Sequence, residues 1–402
     1  MIGRSTSRRA FVVALVSALG AWAGARWIGR EGGGVSSDLP LAEALPSPTA
    51  DLPAVGDATA TPAVATAVPA SAALPIPGPV RKLERDKDGA LTASLRPKGS
   101  LPDLVPPTDQ HYVVTKNAVA DPIVDPNSWR LLIDGEVQRP VQLDYRTLRQ
   151  LPSVEIVKTL ECISNFTAMC ELTSFGCDLI GTARWKGVRL SEIIALAGGL
   201  KPSAKFLSVV SVDEFSAGLP LEIINDPETM VAYEMNGQVL PREHGYPARL
   251  MVPGRYGMKN PKWLAAIRPV SQEFLGWYEQ RNWNKDGIVK TMSRIDVPAD
   301  GASVTAGPRR VAGVAYAGSR GVRLVELSAD AGTTWLPTDF IESSPGTDAW
   351  VRWEAMLNLA PGSRVTLVVR ATDGTGVVQT DEFKLPQPDG GSGRHSISVS
   401  VA

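Results

Sequence analysis

The sequence predicts an α+β domain followed by an all-β sandwich, both preceded by a segment with no fold of its own. Three observations carry this. Between His111 and about residue 290, stretches of helix and strand character are mixed without a regular βαβ repeat. After Thr291, short β-type segments divided by AG, PG and DG turns follow one another. From Glu31 to Val80 the chain is rich in Pro, Ala, Thr, Ser and Gly, with no aromatic residue and no period.

Taken in order, Ser7-Arg8-Arg9-Ala10-Phe11 opens into the apolar run FVVALVSALGAWAGA, which resembles the twin-arginine export signal of bacteria. Residues 1–30 are therefore expected to direct export to the periplasm or another extracytoplasmic site. Small-residue sites around Ala23 allow cleavage, whereas the long spacer that follows suits a retained anchor, and both readings stand. Residues 31–110 read as a disordered linker and lead-in, with folded sequence from the strand HYVVTKN at His111. WRLLIDG is a strand closed by Asp134-Gly135, and LDYRTLRQLP a short helix stopped by Pro152. VEIVKTLEC is a largely apolar strand delivering Cys162. Ser191 is placed to cap LSEIIALA, which Gly198-Gly199 ends. KFLSVVSV and ARLMVPG read as buried strands. Segments such as VRLVELSAD and RVTLVVRATDG then make residues 291–386 a sandwich of immunoglobulin-like type, and 387–402 reads as a flexible tail.

The chain has 402 residues, 44% of them hydrophobic, enough for two domains with sizeable cores. A formal net charge of −1 gives no global field to recruit nucleic acid. The three cysteines, Cys162, Cys170 and Cys177, form no CxxC pair, and His111, His244 and His395 are far apart in sequence, so neither an iron-sulfur cluster nor a four-ligand zinc site is written in the spacing. A Cys170–Cys177 disulfide is open, and it leaves Cys162 as the odd thiol. That thiol is either a small buried hydrophobe or the one protein ligand of a soft metal whose other ligands belong to a cofactor.

TLECISN, GTARWKGVRLSEIIALAGG, MVAYEMNGQVLPREHGYPARLMVPGRYGMKNPKWLAAI and VKTMSRI resemble the sulfite oxidase family of molybdopterin enzymes, in that family's order. GVAYAGSRGVRLVELSADAGTTW and PGSRVTLVVRATDG resemble its immunoglobulin-like dimerisation domain, so a homodimer is expected. The resemblance implies one molybdenum-molybdopterin per chain with Cys162 as its metal ligand, and the pterin and its phosphate held by Asn117, His244, Arg249 and Lys262, with Ser211 nearby. Arg and Lys suit a buried phosphate on physical grounds as well. Gly254 and Gly257 leave room for close backbone approach beside the cofactor. Trp185 and Trp263 read as core.

The implied reaction is oxygen-atom transfer, sulfite to sulfate, with electrons leaving to a separate partner such as a c-type cytochrome, since no haem domain is visible. The alternatives are reduction of sulfoxides or N-oxides with the same cofactor, and a non-catalytic binding protein on this scaffold. One departure bears on substrate. Phe166 and Thr167 stand where the family has a pair of arginines, and Arg255 and Lys259, with Arg184, are the expected replacements at the catalytic centre. The stretch FTAMCELTSFGC is an apparent insertion, expected to form a lid or a disulfide-tied loop beside the metal.

Overall fold

The computed structural model describes residues 73–402. The export signal at 1–30 and the linker up to residue 72 lie outside the described residues. From there on the lead-in is anchored. Strand β1 (Ala90–Thr92) pairs antiparallel with β2 (Val113–Thr115), so the boundary expected at His111 falls inside a two-stranded ribbon. Arg85 pairs with Asp121 at 2.7 Å and Arg96 with Asp178 at 2.8 Å, tying the segment to the domain it crosses.

Strands β3 (Arg130–Ile133), β4 (Val141–Asp144), β5 (Val154–Glu161), β6 (Ile180–Arg189), β7 (Phe206–Ser211), β8 (Ser216–Pro220), β9 (Met230–Met235), β10 (Gln238–Val239), β11 (Arg249–Met251) and β12 (Leu264–Val270) form two five-stranded sheets. The first runs β4-β3-β12-β7-β8, antiparallel except where β3 and β12 lie parallel. The second runs β10-β9-β6-β5, with β11 also on β9. Helices are short: α1 (Tyr145–Gln150), capped by the Asp144 carboxylate accepting from the Thr147 amide at 2.7 Å, and α2 (Leu190–Leu196). Ser191 does not cap α2; Arg189 holds that position and Ser191 lies inside the first turn. The first buries Tyr145 and Leu148 and the second Leu190, Ile193 and Ile194, into one core with Trp129, Trp185 and Trp263.

The second section is a sandwich of β13 (Met292–Val297), β14 (Ser303–Val304), β15 (Gly307–Tyr316), β16 (Val322–Ser328), β17 (Leu336–Pro337), β18 (Asp339–Phe340), β19 (Val351–Leu359), β20 (Arg364–Asp373) and β21 (Ser396–Val401). Sheets β13-β15-β19-β18 and β14-β21-β20-β16-β17 enclose a separate core. The tail expected to be flexible supplies β21, which pairs with β20 and buries Ile397, Val399 and Val401 on alternate residues.

A third cluster joins the sections: Ile163, Ile180, Tyr256 and Met258 pack with Val314, Tyr316 and Trp350. Beside it Lys158 of β5 and Asp348 form an ion pair with side chains 0% and 1% exposed. Asp348 also accepts from Tyr316 Oη at 2.7 Å and from the Gly254 amide at 3.1 Å.

Candidate active site

Strand β5 ends at Glu161, and the next residue turns its side chain onto the wall of a cleft. That residue is Cys162, half-buried and unbridged. Its amide donates to the Leu179 carbonyl at 2.9 Å, and its carbonyl accepts from the Asn165 amide at 2.8 Å, so backbone bonds fix the thiol's place. Burial pushes the thiol up to about 11, against hydrogen bonds from Ser164 that favour ionisation. A bound cation would reverse that balance, because a coordinating thiol gives up its proton. The neighbouring Glu161 carboxyl is raised to about 8 by burial; its Oε1 accepts from Asn165 Nδ2 at 2.9 Å and its Oε2 has no partner.

The same cleft is lined by Arg249, Lys262, His244 and Lys116. A turn over Arg242–His244 is ended by Gly245 at φ 113°, and a Cβ there would meet the Cβ atoms of Lys262 at 3.0 Å and Arg249 at 3.1 Å. Only glycine lets these three chains converge. Arg249 lies buried at the start of β11, over the Trp185 ring at 5.1 Å. It donates to the carbonyls of His244 at 3.0 Å and Asn260 at 3.1 Å, and its Nε is left without a partner. Lys262 donates to the carbonyls of Val114 and Glu243, and burial brings it down to about 8. His244 is held well below its usual range by burial and by the charges of Arg249 and Lys262, and its Nε2 is unpartnered.

Buried cations, a neutral imidazole and unused donors are a costly arrangement until an anion arrives. The donor set therefore fits a phosphate-bearing pterin, with the thiol of Cys162 on the same wall for a soft metal.

Not every expected residue lines the cleft. Asn117 and Ser211 stand outside its wall: Asn117 Nδ2 donates to Asp213 Oδ2 at 3.0 Å, and the buried Ser211 Oγ has no partner. Arg255 and Lys259 were expected beside the substrate, and neither is on the wall. Arg255 is spent on the Asp286 carbonyl, while Lys259 is fully buried between Glu279 and the Gly218 carbonyl, 2.8 Å away. Arg184 is exposed on β6 and faces Glu155. Trp263, expected as core only, is buried and also lines the cleft.

Sequence reasoning missed His111, Tyr112, Lys116, Asp213, Glu243 and Tyr278, all on the wall. Lys116 sits beside the chosen Asn117, and Asp213 two residues from Ser211. The signal was present and read slightly off register.

The insertion forms a tied loop and not a lid. A turn at Thr167–Leu172 is closed by a Cys170–Cys177 disulfide with Cα atoms 5.0 Å apart. Phe166 is buried with its ring 5.2 Å from that of Phe383, and neither it nor the two cysteines line the cleft.

Comparison with known proteins agrees with this geometry. Residues 118–278 match the family described as oxidoreductase molybdopterin binding domain, and 287–385 match the Mo-co oxidoreductase dimerisation domain. Sulfite oxidase of Arabidopsis thaliana is 29% identical over 331 residues, covering 70% of this chain and 83% of the plant protein. Mitochondrial sulfite oxidase of Macaca fascicularis is 31% identical over 305 residues, 66% of this chain, which spans only 56% of that relative's length. The sulfane dehydrogenase SoxCD from Paracoccus pantotrophus shares the fold, with a TM-score of 0.66 at 22% identity over 85% of this chain and 96% of that one. Two matched domains in tandem, and relatives spanning both, show that the chain belongs to the sulfite oxidase family of molybdopterin-dependent oxidoreductases.

Proposed function

We propose that this chain is an exported enzyme that oxidises sulfite to sulfate and passes the electrons to an external acceptor such as a c-type cytochrome. The observation that carries the reading is the meeting, on one cleft, of the Cys162 thiol with the cations Arg249 and Lys262, the first of which is buried and has an unspent donor. The bound cofactor supplies a metal that takes up two electrons and exchanges an oxygen with water. The chain's own residues bind and orient. His244, Arg249 and Lys262 hold the anionic end of the pterin, and Cys162 holds the metal. Tyr112 and Tyr278 line the cleft, and burial keeps both phenols protonated, so they can donate to substrate oxygens. The curated relatives named sulfite oxidase support the choice of substrate.

Overall, sulfite and water give sulfate, two protons and two electrons. The test is turnover with sulfite and ferricyanide by protein from a host with intact pterin synthesis, alongside its molybdenum content. Near one molybdenum per chain, lost in Cys162→Ser together with turnover, is the expected result. The dimerisation domain supports a homodimer, which light scattering would reveal as twice the chain mass.

A second reading, reduction of a neutral sulfoxide, is favoured by one observation. The titratable side chains that interact with the Cys162 thiol are Glu161, Tyr112, Tyr256 and Tyr278, with no cation among them, and a sulfite dianion out of water needs one. Turnover with methionine sulfoxide and reduced viologen, and none with sulfite, would establish this reading over the first.

A further inference from the structure

We propose that Arg81, carried by the lead-in segment outside both matched domains, is a further anchor for the anionic end of the cofactor. This rests on the cofactor assignment above. Residues 74–96 cross the catalytic section as a strap. The Pro75 carbonyl accepts from Tyr246 Oη at 3.1 Å, and the amides of Val80 and Arg81 donate to Glu243 Oε1 at 2.8 and 3.2 Å. Glu243 lines the cleft, precedes His244, and gives its own carbonyl to Lys262 at 2.8 Å. The strap is thus bonded to the turn that presents the phosphate-binding side chains.

The Arg81 guanidinium uses only part of its capacity. Its Nη2 donates to the carbonyls of Thr92 and Ala93 at 3.1 and 2.9 Å, while Nε and Nη1 are buried with no partner. Among the described residues it makes no ion pair within 4.0 Å. Its charge nevertheless reaches both His111 and His244, whose rings lie 5.4 Å apart. Arg81 is not itself on the cleft wall, and the carboxylates of Glu243 and Asp109 act on its charge; its Nε and Nη1, with His244 Nε2 and Arg249 Nε, are four buried nitrogens without partners on chains bonded to the Glu243–His244 turn. Two buried nitrogens without partners on this half-buried side chain are unfavourable, and a phosphate that accepts from them removes the penalty.

The experiment compares wild type, Arg81→Lys and Arg81→Gln, each isolated loaded. Molybdenum and pterin per chain are followed after dilution at low and high salt, and melting is measured on loaded and emptied protein. The expected result is release roughly ten- to a hundred-fold faster in Arg81→Gln, with Arg81→Lys between. Salt should speed release from wild type more than from Arg81→Gln, and the variant's melting deficit should be larger loaded than emptied. Equal release rates, or an equal melting deficit in both forms, would show that Arg81 only ties the strap through Thr92 and Ala93, and would overturn the inference. A well-folded wild type without molybdenum or pterin would instead sink the cofactor reading, and this proposal with it.

Discussion

Removing the Asp348 carboxylate leaves the Lys158 ammonium buried with no counter-charge, and the structure lets the cost be worked through. Both side chains are fully enclosed, so stranding one charge costs about 3–5 kcal/mol. Asp348→Ala also strips the acceptor from the Gly254 amide, adding about 1–2 kcal/mol, while Tyr316 Oη keeps the Thr159 carbonyl at 3.1 Å. Asp348→Ala is therefore expected to lose about 4–7 kcal/mol. Lys158→Met strands a carboxylate that keeps two donors and should cost about 3 kcal/mol. The double variant Lys158→Met, Asp348→Asn removes both charges and preserves an acceptor, so it should return to within about 2 kcal/mol of wild type. Urea unfolding of wild type, Lys158→Met, Asp348→Asn and their double variant, followed by fluorescence and by circular dichroism to test for a single transition, gives the four corners of the cycle, with Asp348→Ala measured beside them. If the two single losses simply add, to within about 0.5 kcal/mol, the pair is not coupled and the reasoning fails.

Three further expectations follow from the same structure. Denatured, unreduced protein should show one free thiol, Cys162, and replacing Cys170 and Cys177 together by serine should lower stability by about 2.5 kcal/mol, as a loop of this length implies; three free thiols would refute the bridge. His395 is buried and lowered to about 4, so the unfolded chain binds the extra proton: its contribution, at most about 3 kcal/mol, is complete above pH 6.5 and drains away as pH falls toward 4. His395→Gln should flatten the stability profile across that window, and an unchanged slope there would remove His395 from the account. Gly245→Ala should force Lys262 and Arg249 apart and cost about 1–3 kcal/mol, with lower molybdenum retention; normal retention would mean that the turn can shift without disturbing the cradle.

The sequence made Cys162 and the strands around it legible because periodicity and turn residues act locally. Asp134-Gly135 and Pro152 stop their elements wherever the rest of the chain goes. The strap was illegible for the opposite reason: its order comes from distant partners, Glu243, Asp121 and Asp178, and nothing in a proline-rich string announces them. Residues 396–401 did carry a signal, since SISVSV alternates perfectly, but the glycine-rich lead-in hid it. Arg255 and Lys259 were chosen because a dianion needs positive charge nearby. Sequence shows that a cation exists and not whether it is already spent, and Glu279 had claimed Lys259.

The packing of Phe166 on Phe383 sets a timetable for manufacture. The loop that follows Cys162 is braced by a stretch translated long after it, and β21, later still, completes its sheet from an interior position. A ribosome-bound chain has made Cys162 and the basic cradle well before either brace exists. Whatever delivers the cofactor therefore meets an unbraced loop during synthesis and a braced one after release, so handover before termination and handover after it are physically different events.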